Sequence, residues 1–274
     1  MTHTPTDKNE EAVAKAFNRQ APVFDDIYAG DTIIQYKRKR VRDHMLHYLP
    51  VSASILEINA GTGEDAIYFA QKGCHVHATD IASDMLERLR LKVKEQQLEM
   101  YISSELCSFS DLENLLQQGP YDHILSNFAG LNCTGRLGKV LDSFYFLLKP
   151  GGYVTLVMLP PFCLWEFMLL FKGKFKTAIR RFAGRKGARA HVEGTYFRCW
   201  YYWPSFIKKH LKATFDVVAI EGLCTVVPPS YIQHFAEKHP KTFALLENKE
   251  NAWKRRWPWK VIGDYYIITL KKKM

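Results

Sequence analysis

The stretch Ile55-Leu56-Glu57-Ile58-Asn59-Ala60-Gly61-Thr62-Gly63 decides how this chain of 274 residues is read. Its first half is a short apolar run suited to a buried strand, and its second half is a turn of small residues. Ala66, Phe69 and Ala70 then follow a helical pattern that stops at Gly73. Small residues let the backbone approach a ligand closely, and the N-terminus of the following helix presents free N–H groups. Two glycines alone are a weak motif. The spacing does not fit the GxGxxG fingerprint of nicotinamide-cofactor domains.

A second signal strengthens the first. Residues 75–79 read as another strand, and Asp80 ends it about 20 residues beyond the first, where an acid can accept hydrogen bonds from both hydroxyls of a ribose. Ligands of open α/β sheets bind at the C-terminal ends of strands, so Gly61, Gly63 and Asp80 can converge.

Outward from this pair the alternation continues. Ser83 suits the N-cap of a helix carrying Leu86, Leu89 and Val93. Strands follow around 100–107, 123–126 and 153–159, separated by a short helix at 112–116 and a longer one at 137–148 that ends in Lys149-Pro150-Gly151-Gly152. A helix over 203–213 and strands over 215–220 and 264–270 complete the pattern. The fold class is therefore α/β, a doubly wound and mostly parallel sheet covered on both faces. Three segments stand outside it: a helical lead over 1–49, a cap insertion over 160–203, and a second insertion over 221–263 of the domain spanning 50–274.

The bulk composition bounds the rest. Hydrophobic residues make up 47% and charged residues 24%, as in ordinary globular proteins, with disorder expected only in the first ten or so residues. The net charge of +10 favours anionic partners. Six cysteines without a CxxC pair suit a reduced, cytoplasmic protein. The ten histidines lack metal spacing, although His75 and His77 share a face of their strand, so no metal is expected. Residues 1–11 do not read as a secretory signal, and the apolar run at 160–171, broken by Glu166, is too short to span a bilayer.

With these residues in place, the sequence resembles the class I S-adenosylmethionine-dependent methyltransferases. Residues 57–63 are similar to the family's acidic, glycine-rich first motif, and Asp80-Ile81 with Ser83-Asp84-Met85-Leu86 to its second. Ser108-Phe109-Ser110-Asp111-Leu112, Tyr121-Asp122-His123-Ile124-Leu125-Ser126-Asn127 and Leu147-Leu148-Lys149-Pro150-Gly151-Gly152 resemble the later motifs, in order and in register. The resemblance is strongest to the small-molecule branch that includes quinone- and biotin-precursor methyltransferases. It implies a seven-stranded sheet whose last strand is antiparallel, and S-adenosylmethionine as cofactor. It places Glu57, Asn59, Ala60, Gly61 and Gly63 around the methionine part and Asp80 on the ribose. Ile81 and Met85 would line the adenine, with Ser108 and Phe109 at its edge, and Asn127 and Ala129 would lie below the methyl. The family usually has glycine at Asn59 and often an acid at Ser108.

The chemistry asks little of the protein. Transfer from a sulfonium is an in-line displacement with an activated leaving group, so alignment and exclusion of water dominate. A base is needed only for a nucleophile with a high-pKa proton. Tyr202 and His191 are the candidates for it. An aromatic, apolar stretch at 161–171 runs into eight basic residues between Lys172 and Arg189 with no acid among them. It can cap a pocket for an apolar substrate with an anionic group, meet an acidic membrane, or be a solvated face. A lid formed by 160–203 with the helices of 9–36 is expected over the acceptor. Three functions stay open: methylation of a small, hydrophobic or aromatic molecule; methylation of RNA or protein through the basic surface; and binding without catalysis. Nucleic acid is disfavoured because Ser126-Asn127-Phe128-Ala129 lacks the pattern of amino methylation in bases.

Overall fold

The structure, a computed structural model, describes residues 7–274. The first six residues of the polar N-terminal stretch lie outside the described residues. Within the ten or so residues expected to be disordered, Asp7 caps a helix: its carboxylate accepts the amides of Asn9 and Glu10 at 2.9 and 3.0 Å. The strands are β1 (Ser54–Ile58), β2 (His75–Asp80), β3 (Ile102–Leu106), β4 (Tyr121–Ser126), β5 (Leu148–Met158), β6 (Ala188–Val192), β7 (Thr195–Cys199), β8 (Phe215–Leu223) and β9 (Tyr265–Lys272). Seven form one sheet in the order β3-β2-β1-β4-β5-β9-β8, while β6 and β7 make a separate hairpin. The first five are parallel, and β9 runs antiparallel to both β5 and β8.

The register positions the site. Ile58 pairs with Thr79 of β2 and with Ser126 of β4. The next residue of each strand's path, Asn59, Asp80 and Asn127, therefore leaves the same end of the sheet. Both faces of β1 are buried, Ile55 into one cluster and Leu56 and Ile58 into the other, which is why the strand reads as a continuous apolar run.

The helices are α1 (Lys8–Gln20), α2 (Phe24–Ala29), α3 (Thr32–Leu46), α4 (Glu64–Ala70), α5 (Ser83–Glu95), α6 (Leu137–Leu147), α7 (Leu164–Met168), α8 (Phe175–Ile179), α9 (Pro204–His210), α10 (Phe235–Lys238) and α11 (Pro240–Trp253). Helices α3, α4 and α5 pack on the Ile55 side through Met45, Phe69 and Leu89. Helices α1, α6 and α9 pack on the other through Ala16, Phe144 and Ile207. Ser83 does not cap α5. It is the first helical residue, its hydroxyl donates to the Asp84 carboxylate, and Asp80 takes the Ala82 amide instead. Strand β8 runs to Leu223, so the second insertion begins after it and carries α10 and α11.

Buried ion pairs clip the insertions to this frame. Arg40 on α3 meets Glu221 of β8 at 3.3 Å and Glu250 of α11 at 3.4 Å. Arg181 meets Glu166 at 2.6 Å and Asp264 at 2.8 Å, and Lys37 meets Asp264 at 3.3 Å. Not all of the basic residues in 172–189 face solvent: Arg181 points inward as the counter-ion of two buried carboxylates, and Arg180 shares Glu166 with it. No helix of the described residues is long and apolar enough to cross a membrane.

Candidate cofactor and acceptor site

The turn after β1 contains three residues with left-handed backbone, Asn59, Gly61 and Gly63. Asn59 has φ +54° and Gly61 φ +58°, a region that asparagine tolerates better than most residues and glycine enters freely. The amide side chain at Asn59 does more than tolerate the turn. Its Oδ1 accepts the Ser126 hydroxyl at 2.6 Å and its Nδ2 donates to the Asn127 carbonyl at 2.9 Å, tying the β1 turn to the end of β4. At Gly61 nothing lies within 4 Å of where a Cβ would stand. That face of the backbone is open to a ligand.

Asp80 is held with its carboxylate toward this turn. Oδ2 accepts the Gly61 amide at 2.8 Å and Oδ1 the Ala82 amide at 2.9 Å. Each oxygen keeps a further lone pair for a hydroxyl donor. Burial raises its pKa, against the opposing amides of Ala82, Gly61 and Ile81. Glu57 lies behind the turn, buried, with Oε2 free of any partner among the described residues. Burial first, and Asp65 second, push its pKa well up. A buried carboxylate oxygen with no partner is an open place for a cationic group.

One cavity gathers seven of the twelve expected cofactor residues: Asn59, Gly61, Asp80, Ile81, Met85, Phe109 and Asn127. The other five are accounted for by packing. Gly63 at φ +79° lies against α5, where a Cβ would come within 2.6 Å of Leu89. The Ala60 amide donates to the Thr79 carbonyl at 2.9 Å, and the Ala129 amide to the Val157 carbonyl at 2.9 Å. Glu57 is the unpartnered carboxylate behind the turn. Ser108 is wholly buried and its hydroxyl donates to Glu10 at 2.8 Å, with Ser110 donating to the same carboxylate at 2.6 Å. An acid does meet this loop, but it comes from α1, a partner 98 residues away that no local motif displays.

The remaining walls are Val13 and Phe17 of α1, Phe24 of α2, and Cys107, Phe128, Gly130 and Cys133. Helices α1 and α2 thus supply three of the cavity's apolar walls. The 160–203 insertion acts at one remove: Phe197 of β7 packs on Phe17 with ring centroids 6.2 Å apart, and Asn9 bridges the Cys133 and Arg198 carbonyls at 2.8 and 3.2 Å. Phe128 and Ala129 are consecutive left-handed residues, φ +48° and +62°. The Arg38 guanidinium stands over the Phe128 ring at 4.8 Å.

The two expected catalytic residues are not brought into the cavity. The Tyr202 hydroxyl donates to the Thr134 carbonyl at 2.6 Å, and burial pushes its pKa up to about 12. His191 is exposed on the β6–β7 hairpin, its ring 4.4 Å from that of Tyr196. Among the described lining residues the titratable groups are Asp80 and two thiols. Burial raises Cys107 to about 12, while the hydrogen bond that Cys133 donates to Cys199, and then burial, hold Cys133 well up. Both thiols stay protonated near neutrality.

Among the described residues one group, Cys163, Glu166 and Asp264, is close enough to hold a metal ion. Its carboxylates already face Arg180, Arg181 and Lys37. That arrangement neutralises them without a metal.

Comparison with known proteins agrees with the geometry. Residues 55–152 match the family model of a methyltransferase domain. The chain is 27% identical over 193 residues to a malonyl-[acyl-carrier protein] O-methyltransferase of Enterobacter lignolyticus, covering 69% of this chain and 70% of that one. It is 28% identical over 196 residues to a biotin biosynthesis bifunctional protein of Cellvibrio japonicus, covering 70% of this chain but 36% of that longer one. In fold it resembles the 1,6-didemethyltoxoflavin-N1-methyltransferase of Burkholderia thailandensis, solved with S-adenosylhomocysteine, at a TM-score of 0.58 and 16% identity, over 100% of this chain and 94% of that one.

Proposed function

We propose that this chain is a class I S-adenosylmethionine-dependent methyltransferase that methylates a small molecule with a hydrophobic or aromatic body. The cavity residues fit the cofactor: an open backbone at Gly61, two carboxylate oxygens at Asp80, and an apolar clamp of Ile81, Met85 and Phe109, while behind the turn Glu57 keeps an unpartnered Oε2 suited to an ammonium. When bound, S-adenosylmethionine supplies a methyl group already activated by its sulfonium.

The observation that carries the acceptor reading is the wall chemistry. Val13, Phe17, Phe24 and Phe128 are apolar, and neither thiol of the cavity can act as a base near neutrality. Such a site aligns an acceptor and excludes water, and it suits a nucleophile that arrives with its lone pair available, such as an ionised acid. Arg38 favours an anionic group beside Phe128. Its ion partner Asp65, at 3.5 Å, is already held by Arg42 at 2.6 Å and by Asn127 at 2.7 Å. The malonyl-[acyl-carrier protein] O-methyltransferase among the relatives supports an acidic acceptor group. The same insertion that braces the lid carries outward-facing basic and apolar side chains suited to an acidic membrane, and six free cysteines suit the cytoplasm.

The test follows methyl label from S-adenosylmethionine into three fractions: apolar carboxylic acids and phenols, bulk tRNA, and protein. The reading expects label in the small acids or phenols, with an acceptor KM that rises in Phe24→Ala while cofactor affinity holds. Label confined to tRNA or protein would overturn it.

A further inference from the structure

Residues 167–182 turn an apolar surface toward solvent. Phe171 and Phe175 are 86% and 63% exposed, and Phe167, Met168, Ile179 and Phe182 are exposed with them. Phe162 draws the segment together, its ring centroid 5.5 Å from Phe167 and 6.4 Å from Phe182. Two of its charges, Glu166 and Arg181, are buried, while its large apolar side chains face out. The salt bridges of Arg180 and Arg181 to Glu166 hold that arrangement in place. The lid role does not use these residues, since none of them lines the cofactor cavity.

The charge around the surface selects its partner. Lys174, Lys176, Arg185 and Lys186 are exposed in the same segment, and no Asp or Glu occurs between Glu166 and Glu193. A second copy would set these cations against one another. A nucleic acid would use the cations but gain nothing from Met168 and Ile179. An apolar face fringed by lysine and arginine fits the boundary between anionic headgroups and acyl chains.

We propose that residues 167–186 dock this enzyme on an acidic phospholipid bilayer. Phe171 and Phe175 enter the interface, while Lys174, Lys176, Arg185 and Lys186 meet the headgroups. Arg180 and Arg181 take no part, being committed to Glu166. The proposal rests on the small-acceptor reading in one respect: an apolar acceptor partitions into such a bilayer. Its test measures lipid and cofactor binding without turnover, so either idea can fail alone.

The full chain is sedimented with phosphatidylcholine vesicles and with vesicles containing roughly one third phosphatidylglycerol, while cofactor affinity and circular dichroism are followed in parallel. The wild type should bind the acidic vesicles and not the neutral ones. Each basic residue near an acidic surface is worth roughly fivefold in partition, so Lys174→Glu with Lys176→Glu should weaken binding by at least about tenfold. Phe171→Ser with Phe175→Ser should also lose at least about tenfold while keeping the wild-type spectrum and cofactor affinity. Three outcomes would overturn the proposal: no binding of wild type to acidic vesicles; wild-type binding by the Phe171 and Phe175 variant; or a dimer in analytical ultracentrifugation that this variant dissociates.

Discussion

The Asp80 carboxylate accepts the Gly61 amide at 2.8 Å, so the residue that ends the second strand fixes the turn that follows the first. One consequence is that the acid and the glycine-rich loop form one unit. A ligand touching one face of Gly61 is within reach of an oriented carboxylate that is already half satisfied by the backbone.

Gly130 shows how tightly this end of the sheet is closed. A Cβ there would collide with the Asn59 side chain, which bridges Ser126 and Asn127. Gly130→Ala should cost about 1–3 kcal/mol of stability by overpacking. The double variant with Asn59→Gly should regain part of that loss in thermal unfolding, because it removes the side chain that collides. Additive losses would mean that the two residues are not in contact.

Glu57 predicts a pH-dependent trade. Burial and Asp65 raise its folded pKa above the unfolded value. Its contribution to stability is therefore fully present below the ordinary glutamate range, about 4.3, and is lost as pH rises through the folded value. Without cofactor, Glu57→Gln should melt above wild type at neutral and alkaline pH, and the gap should close as pH falls toward about 4. With cofactor the order should reverse if the free Oε2 receives an ammonium group. A gap that widens on acidification contradicts the assignment.

The two arginines shared by Glu166 should behave differently. Glu166→Ala strips Arg181 of one of two buried partners, and breaking a buried pair in this way costs about 3–5 kcal/mol. Arg180→Ala removes a side chain that is 48% exposed and should cost little by comparison. Chemical denaturation of the two variants separates them. Equal losses would place Arg180 in the interior alongside Arg181.

Glu10 anchors α1 to the Ser108–Ser110 turn. Glu10→Ala removes the carboxylate that two buried hydroxyls share, each at a cost of up to about 1–3 kcal/mol that their mutual contact at 2.9 Å partly offsets, and loosens the helix that carries Val13 and Phe17 over the cavity. Cofactor affinity should fall along with stability. A variant that lost stability but bound cofactor like wild type would show that α1 covers the cavity without shaping it.

The parts of this fold legible in the sequence are those whose causes are local. Residues 54–58 read as a buried strand because Ile55, Leu56 and Ile58 place apolar side chains on both faces, and Asn59, Gly61 and Asp80 announce themselves by the backbone freedom and charge that a turn between strand and helix requires. What was hidden depends on contacts distant in sequence. Arg181 counts as surface charge until Asp264, 83 residues on, neutralises it. Ser108 suits a ligand until Glu10 claims its hydroxyl. Tyr202 has the chemistry of a base, but its proton is committed to a backbone carbonyl. The outward aromatic face at 167–182 has the composition of a lid, and only the burial pattern reveals its orientation.

The most direct measurement is calorimetric titration of S-adenosylhomocysteine into the wild type and Asp80→Ala. A charge-assisted hydrogen bond contributes about 1.5–3 kcal/mol, so the variant should bind roughly 10- to 150-fold more weakly while wild type binds the nucleoside and ignores NAD. Equal affinity in the two proteins, or a wild type that takes NAD and refuses the adenosyl ligand, would contradict the account.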